Sequence, residues 1–226
     1  LTNASGVHAY PISETIFAMM LGLTRKLHVY IRNQQKHHWG DLANSVELHD
    51  KTLGILGYGN IGKETAKIAK AFGMTVLAYK RNVAPDPYVD EFFTPDRLDQ
   101  LLPRCDYVVN ILPLTQETRH LMDGPQFDIM KKGAFFINVG RGGTVNTEAL
   151  ISALERGILA GAGLDVFEVE PLPEHHRLWE MENVIITPHT AGGSSLYNQR
   201  ALDIFLENLR SFSRGEEPAR NRVDLG

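Results

Sequence analysis

The sequence between positions 52 and 62 reads Thr52-Leu53-Gly54-Ile55-Leu56-Gly57-Tyr58-Gly59-Asn60-Ile61-Gly62. Its first part is a short apolar run typical of a buried parallel strand, and its three last glycines have the spacing G-x-G-x-x-G. In such a loop the first glycine permits a tight turn, the second lets the backbone approach a pyrophosphate, and the third brings helix and strand together. A helix that begins here would direct its N–H groups at the phosphates. We therefore predict a dinucleotide site at Gly57, Gly59, Asn60, Ile61 and Gly62.

On both sides of this stretch, apolar runs that predict strands alternate with patterns that predict helices. Further strands are predicted near 74–79, 107–112, 135–139, 162–166 and 184–187, and helices near 61–72, 97–102, 126–130, 148–156 and 194–212. Apolar residues at helical spacing from Ile12 to Ile31 predict one long helix before the first strand. This alternation predicts an α/β fold with a doubly wound, mostly parallel Rossmann-type sheet and flanking helices.

The composition narrows the class of protein. The chain has 23 basic and 27 acidic residues and no basic stripe, which argues against nucleic acid as a partner. Cys105 is the one cysteine, so a disulfide framework and a cysteine-based zinc site are excluded and a reducing, cytoplasmic location is expected. The apolar stretch 16–23 is too short to span a bilayer. His175 and His176 lack partners at ligand spacing, so no metal site is predicted.

The residues after the second predicted strand bear on the choice of cofactor. An acidic side chain at that point would hold the ribose hydroxyls of NAD, but the sequence reads Tyr79-Lys80-Arg81. Lys80 or Arg81 can pair with the 2′-phosphate of NADP, which an acid would repel. We therefore favour NADP over NAD, and the alternative is a solvated basic loop at a strand end.

Three later segments carry a resemblance to a known family. They are Phe136-Ile137-Asn138-Val139-Gly140-Arg141-Gly142, Gly163-Leu164-Asp165-Val166-Phe167-Glu168-Val169-Glu170-Pro171 and Thr187-Pro188-His189-Thr190-Ala191-Gly192. Together with the stretch 112–118, they resemble the signatures of the D-isomer-specific 2-hydroxyacid dehydrogenases. The resemblance extends over nearly all of the chain.

The resemblance implies a role for each matching residue. Arg141 would bind the carboxylate and carbonyl of the substrate, Glu170 would be the partner of the histidine, and His189 would donate or accept the proton. Asp165 would contact the nicotinamide end. By the same resemblance, the cofactor is lined by Pro113, Thr118, Val139, Gly140, Arg141, Asp165 and His189.

The residue types also suit the chemistry. Hydride that arrives at a keto carbon leaves negative charge on the oxygen, so the site needs a positioned acid that is protonated near neutral pH, such as His189. Arginine offers a planar fork of donors for a carboxylate. Taken one at a time, Arg141 could be a surface charge, Glu170 a loop acid and His189 a turn histidine, and Asp165 could serve local backbone hydrogen bonds.

The resemblance also implies how the domains are organised. Residues 1–193 would form the dinucleotide-binding domain, and residues 194–226 would be a C-terminal helix and tail packing on a substrate domain that is missing here. The chain opens without a methionine, so we expect that it was cut from a longer protein. The tail 214–226 is expected to lack regular structure, and a homodimer formed through the nucleotide domain is expected.

The expected activity is hydride transfer between a nicotinamide cofactor and a small 2-keto or 2-hydroxy acid, such as glyoxylate or hydroxypyruvate. An alternative is an NAD(H)-sensing binding module of the corepressor type, since relatives of that kind keep a similar triad. Phosphoglycerate dehydrogenase is a further alternative, which the short sequence after Phe212 disfavours.

Overall fold

Seven strands form one sheet in the computed structural model, which describes residues 1–40 and 45–223. They are β1 (Thr52–Leu56), β2 (Thr75–Tyr79), β3 (Glu91–Phe93), β4 (Tyr107–Asn110), β5 (Ala134–Asn138), β6 (Leu159–Leu164) and β7 (Val184–Ile186). Their order is β3-β2-β1-β4-β5-β6-β7, and each neighbouring pair is parallel. The predicted doubly wound sheet is confirmed, and the chain reverses direction across it between β1 and β4. In sheets of this kind ligands bind at that crevice, beyond the carboxyl ends of the strands.

Helices cover both faces of the sheet. They are α1 (Ala9–Thr24), α2 (Leu27–Gln35), α3 (Asn60–Ala71), α4 (Leu98–Leu101), α5 (Gly124–Asp128), α6 (Thr147–Glu155) and α7 (Tyr197–Ser213). One buried core lies between the sheet and α1 and α3, where Ile16, Met20 and Ala66 are fully buried. The second core lies on the opposite face, beneath α4, α5 and α6, and includes Leu101 and Phe127. Because both faces are covered, the strands are apolar along nearly their whole length.

The single long helix predicted from Ile12 to Ile31 is wrong. The chain forms two helices, α1 and α2, and Lys26 between them adopts a left-handed conformation with φ of 56°. Apolar spacing continues across this break, but Leu27 and Ile31 are about half exposed. The periodicity therefore does not mark the point where the chain leaves the core.

The other differences between the predicted and the observed strands and helices are local. Strand β3 was not predicted, since it is short and begins with the charged Glu91, which pairs with Leu77 of β2. The helix predicted near 97–102 is divided into α4 and two flanking 3₁₀ turns. The tail is irregular apart from an isolated bridge between Thr2 and Arg222, and residues 224–226 of the predicted tail lie outside the described part. No helix in the described part is long and apolar enough to cross a membrane.

Candidate active site

The predicted site residues lie beyond the carboxyl ends of the strands. The fingerprint follows β1, the basic pair follows β2, and Pro113 and Thr118 lie in the loop after β4. Residues 139–141 follow β5, Asp165 follows β6, and His189 follows β7. The topology thus brings every predicted segment to one edge of the sheet.

A cleft of about 640 Å³ opens at this edge. Those predicted residues that line it are Gly57, Gly59, Asn60, Ile61, Gly62, Lys80, Arg81, Pro113 and Thr118. The predicted cofactor contacts Val139, Gly140, Arg141, Asp165 and His189 are not among its lining residues. The cleft therefore corresponds to the fingerprint side of the predicted site, and the histidine side lies outside it.

The fingerprint loop has the shape that a pyrophosphate requires. Gly57 has a φ of +101°, a conformation that L side chains rarely adopt. A Cβ at Gly59 would meet nothing within 4 Å, so this position leaves open space for a ligand, whereas a Cβ at Gly62 would lie 2.7 Å from the carbonyl oxygen of Gly57. Helix α3 begins at Asn60 with no acidic residue in its first turn. The residues present therefore fit the phosphates of a dinucleotide.

The two basic side chains after β2, Lys80 and Arg81, line the same cleft. In the part of the chain that the structure describes, no carboxylate forms an ion pair with Lys80 or Arg81. The carboxylate of Glu117 accepts a hydrogen bond from the hydroxyl of Thr115, which lowers the pKa of Glu117, and the charge of Arg81 contributes to this lowering more weakly. Because neither side chain is held in an ion pair, this part of the cleft is suitable for an anionic group.

His189 and Glu170 form a close pair. The ring Nδ1 of His189 lies 2.7 Å from Oε2 of Glu170, and Oε1 of Glu170 accepts a hydrogen bond of 2.9 Å from the backbone N–H of Phe167. The ring is half exposed, and its Nε2 has no partner among the described residues. His189 also has a φ of 54°, unusual for a residue other than glycine. The pairing at Nδ1 leaves Nε2 as the nitrogen that can meet a ligand.

The environment of Glu170 favours its ionised form. Burial raises the pKa of this carboxyl, but the hydrogen bonds from His189 and from the backbone of Phe167, together with the charge of Arg141, outweigh burial and bring its pKa below the ordinary value of 4.5. Glu170 is therefore a carboxylate at neutral pH, able to hold the histidine ring.

This lowered pKa predicts a pH-dependent contribution to stability. Since the pKa of Glu170 is lower in the folded protein than in the unfolded chain, ionised Glu170 stabilises the fold above about pH 4.5, and this contribution disappears as the pH falls through the folded value. The Glu170→Gln variant should melt at a lower temperature than the wild type at pH 7, and the gap should narrow toward pH 3. A gap that stays constant between these pH values would contradict the prediction.

Asp165 is buried and bonds to the loop that carries His189. Its carboxylate accepts hydrogen bonds from the hydroxyl of Thr187 at 2.6 Å and from the backbone N–H groups of Thr190 at 2.8 Å and Ala191 at 3.0 Å. Its backbone oxygen accepts a further bond from the N–H of His189. These are the local hydrogen bonds that were one of the two roles considered for Asp165, and its contact with the nicotinamide end stays a prediction.

Arg141 lies on the rim of the site. One guanidinium nitrogen donates to the carbonyl oxygen of the neighbouring Gly140 at 2.7 Å, and the other two have no partner in the described residues. The next residue, Gly142, packs tightly, because a Cβ there would lie 1.9 Å from the backbone of Phe167. This close approach joins the loop of Arg141 to the loop of Glu170.

Buried amides that were not predicted support the floor of the site. Asn110 and Asn138 end the neighbouring strands β4 and β5, and the amide of Asn110 donates to Asn138 at 3.1 Å and to the hydroxyl of Thr144 at 2.6 Å. Their side-chain oxygens in turn accept from the backbone N–H groups of Leu112 and Gly140, both at 3.2 Å. The signal in the sequence was an asparagine at the end of each of two apolar runs.

Removal of this network should destabilise the protein. The Asn110→Ala variant removes one buried hydrogen bond each from Thr144 and Asn138 and leaves the N–H of Leu112 without its partner, so we expect a loss of about 2–3 kcal/mol in the free energy of unfolding, measured by urea titration. The control is Asn33→Ala, in α2, a helix without buried residues. An Asn110→Ala variant as stable as this control would show that the network does not support the fold.

The N-terminal segment also lines the cleft, and sequence reasoning did not find it. Ser5 Oγ accepts a hydrogen bond of 3.1 Å from the side chain of Asn60, and Ala4, Gly6 and His8 face the same cleft. The ring of His8 contacts the carbonyl oxygen of Gly192 at 3.1 Å. His8 therefore connects the fingerprint cleft to the loop that follows His189.

The strand order and the glycine fingerprint define a dinucleotide-binding domain of the Rossmann type. Residues 17–191 match the family model described as D-isomer specific 2-hydroxyacid dehydrogenase, NAD binding domain. The chain belongs to this family, whose members are NAD(P)-dependent oxidoreductases acting on the CH–OH group of 2-hydroxy acids.

Individual relatives are similar to this chain in sequence and in structure. The glyoxylate reductase of Aeropyrum pernix is 36% identical over 229 residues, with 96% of this chain and 68% of that protein covered. The NADPH-dependent glyoxylate/hydroxypyruvate reductase of Sinorhizobium meliloti, solved with NADP and sulfate, is 32% identical with a TM-score of 0.83, covering 96% of this chain and 68% of that one. A family member from Xanthobacter autotrophicus, solved with NADPH and MES, is 34% identical with a TM-score of 0.83, and the match covers 99% of this chain and 90% of that one.

Proposed function

We propose that this protein reduces a small 2-keto acid, glyoxylate or hydroxypyruvate, with NADPH. The observation that carries the proposal is the 2.7 Å contact between His189 and Glu170 at the same sheet edge as the dinucleotide cleft. Similar relatives are glyoxylate reductases, and two similar solved structures contain NADP or NADPH. These relatives support the substrate and the cofactor that we assign here.

In this reaction His189 supplies the proton. A reduced nicotinamide cofactor, when bound, provides the hydride for the keto carbon. The carbonyl oxygen gains negative charge as the carbon is reduced, and the protonated Nε2 of His189 transfers its proton to that oxygen, so the keto acid becomes a hydroxy acid. Glu170 holds the ring at Nδ1, which leaves Nε2 as the nitrogen that meets the substrate oxygen.

Arg141 and Asp165 have supporting roles in this proposal. The free nitrogens of Arg141 bind the carboxylate of the substrate, and their positive charge stabilises the oxygen that becomes negative. Asp165 is a positioning residue, because its three hydrogen bonds fix the backbone around His189. On the fingerprint side, the cofactor is held by the cleft-lining residues described above.

Cofactor choice gives a direct test of the basic pair. If Lys80 and Arg81 bind the 2′-phosphate, their joint replacement by alanine should weaken NADPH binding by roughly 10- to 100-fold, since hydrogen bonds to charged groups are strong, and change NADH binding less than about twofold. Fluorescence titration with each cofactor measures this. The control is Lys132→Ala, because Lys132 is exposed and lies just before β5, at the opposite edge of the sheet. A wild-type preference for NADH would contradict the assignment of NADP.

The experiment that tests the activity follows the absorbance of NADPH and NADH in the presence of the complete protein. Glyoxylate, hydroxypyruvate and longer 2-keto acids are offered in turn. Turnover with glyoxylate or hydroxypyruvate would support the proposal. Tight cofactor binding without turnover on any keto acid would contradict it and favour the cofactor-sensing module.

The domain organisation and the assembly belong to the same proposal. On α7, the side chains of Leu202, Phe205, Leu209 and Phe212 are 46–75% exposed, and the relatives described above are longer than this chain. We propose that residues 194–226 pack against a substrate domain outside residues 1–193.

We also propose that the protein is a cytoplasmic homodimer assembled through the nucleotide domain. Gel filtration with light scattering tests the dimer, and a monomeric complete protein would contradict it.

A further inference from the structure

Tyr58 stands inside the glycine fingerprint, between Gly57 and Gly59, and its ring is fixed by packing. The side chain is 6% exposed, and its ring makes an edge-to-face contact with Phe92 at 5.3 Å between centroids. Its phenol oxygen is buried, and burial together with the interaction with the carboxylate of Asp86 raises the pKa of Tyr58. The edge-to-face packing fixes the ring, and a phenylalanine ring would fill the same space.

The face of this ring meets the ammonium group of Lys80. The distance from Lys80 Nζ to the ring centroid is 5.8 Å, within the range of a cation–π contact. The carboxylate of Asp86, which interacts with Tyr58, pairs with Lys63 at 3.1 Å and accepts a hydrogen bond of 3.1 Å from the backbone N–H of Tyr88. Among the described residues, Lys80 forms no ion pair, and its ammonium group contacts the ring of Tyr58.

We propose that Tyr58 is a specificity-determining residue for the cofactor, and this inference rests on the proposed use of NADPH. Lysine has a flexible four-carbon stem, so a fixed aromatic face restricts where its ammonium group lies. Both side chains line the dinucleotide cleft. The ring therefore holds the ammonium of Lys80 in place for the 2′-phosphate, a group that NADH lacks, and it raises selectivity without touching the nicotinamide.

The test compares ring-retaining and ring-removing variants in the complete protein. Tyr58→Phe keeps the aromatic face and should bind NADPH within about twofold of the wild type. Tyr58→Leu should weaken NADPH binding about three- to fivefold, the size expected of a partly exposed cation–π contact, and should leave NADH binding unchanged. Dissociation constants come from fluorescence titration, and thermal melting checks the fold. Tyr58→Met, whose flexible side chain refills the space, replaces the leucine variant if that variant melts too early.

A double variant separates this role from general packing. In a Lys80→Met background, Tyr58→Leu should cause no further loss of NADPH affinity, because the charge that the ring holds is gone. An equal loss for NADPH and NADH, or a loss that persists in the Lys80→Met background, would overturn the role of Tyr58. If Lys80→Met leaves the NADPH/NADH ratio unchanged, Lys80 does not contact the 2′-phosphate and the role of Tyr58 fails, whereas a wild-type preference for NADH would overturn the proposed use of NADPH itself. If Lys80→Met changes the NADPH/NADH ratio but Tyr58→Leu does not, only the proposed role of Tyr58 fails.

Discussion

Replacement of His189 by glutamine is expected to lower kcat for 2-keto acid reduction by about 10³-fold, within the range that general acid catalysis supplies. Glutamine fills a similar space and can still bond to Glu170, but its amide does not release a proton at any working pH. The carbonyl oxygen would then take its proton from water. Steady-state kinetics of NADPH oxidation with saturating glyoxylate or hydroxypyruvate measures the effect.

The matched control is His175→Gln, since His175 is an exposed loop histidine with no hydrogen bond in the described residues. This control should retain the wild-type rate. Both variants should bind NADPH as the wild type does, because neither histidine lines the fingerprint cleft. If His189→Gln reduced the keto acid as fast as His175→Gln, the proton donor would be another group.

The sheet could be predicted because its strands are buried on both faces. A continuous apolar run such as Thr52–Leu56, followed by glycines at fixed spacing, indicates both the strand and the turn after it. Where a segment is partly exposed to solvent, the apolar pattern no longer shows where a strand or helix begins and ends. The half-exposed Leu27 and Ile31 continue the apolar period of α1 past the break at Lys26, and the charged Glu91 conceals β3 at the sheet edge.

The site could be predicted only as a set of segments. Parallel strands place their carboxyl ends at one edge, so the order of motifs is sufficient to collect the fingerprint, Arg141, Glu170 and His189 there. Hydrogen-bond partners depend on side-chain geometry that the order does not specify. Two such partners that the order of motifs did not predict are the loop of His189, which bonds to Asp165, and Ser5, which bonds to Asn60, 55 residues away.

Replacement of Arg141 by methionine is expected to lower kcat/KM for glyoxylate by about 10³-fold, since it removes two charge-assisted hydrogen bonds to the carboxylate. Lysine at this position should recover roughly a tenth of the wild-type value, because it restores the charge without the planar fork.

A neutral substrate distinguishes carboxylate binding from a general disturbance of the loop. With glyoxylamide, in which an uncharged amide replaces the carboxylate, the wild type should lose most of its kcat/KM, whereas Arg141→Met should treat glyoxylate and glyoxylamide almost alike. Arg25→Met, at an exposed arginine after α1 that does not line the cleft, controls for the loss of a surface charge. If Arg141→Met still preferred glyoxylate by the wild-type ratio, the carboxylate would be bound elsewhere, and Arg141 would act only through its packing beside Gly142 and the loop of Glu170.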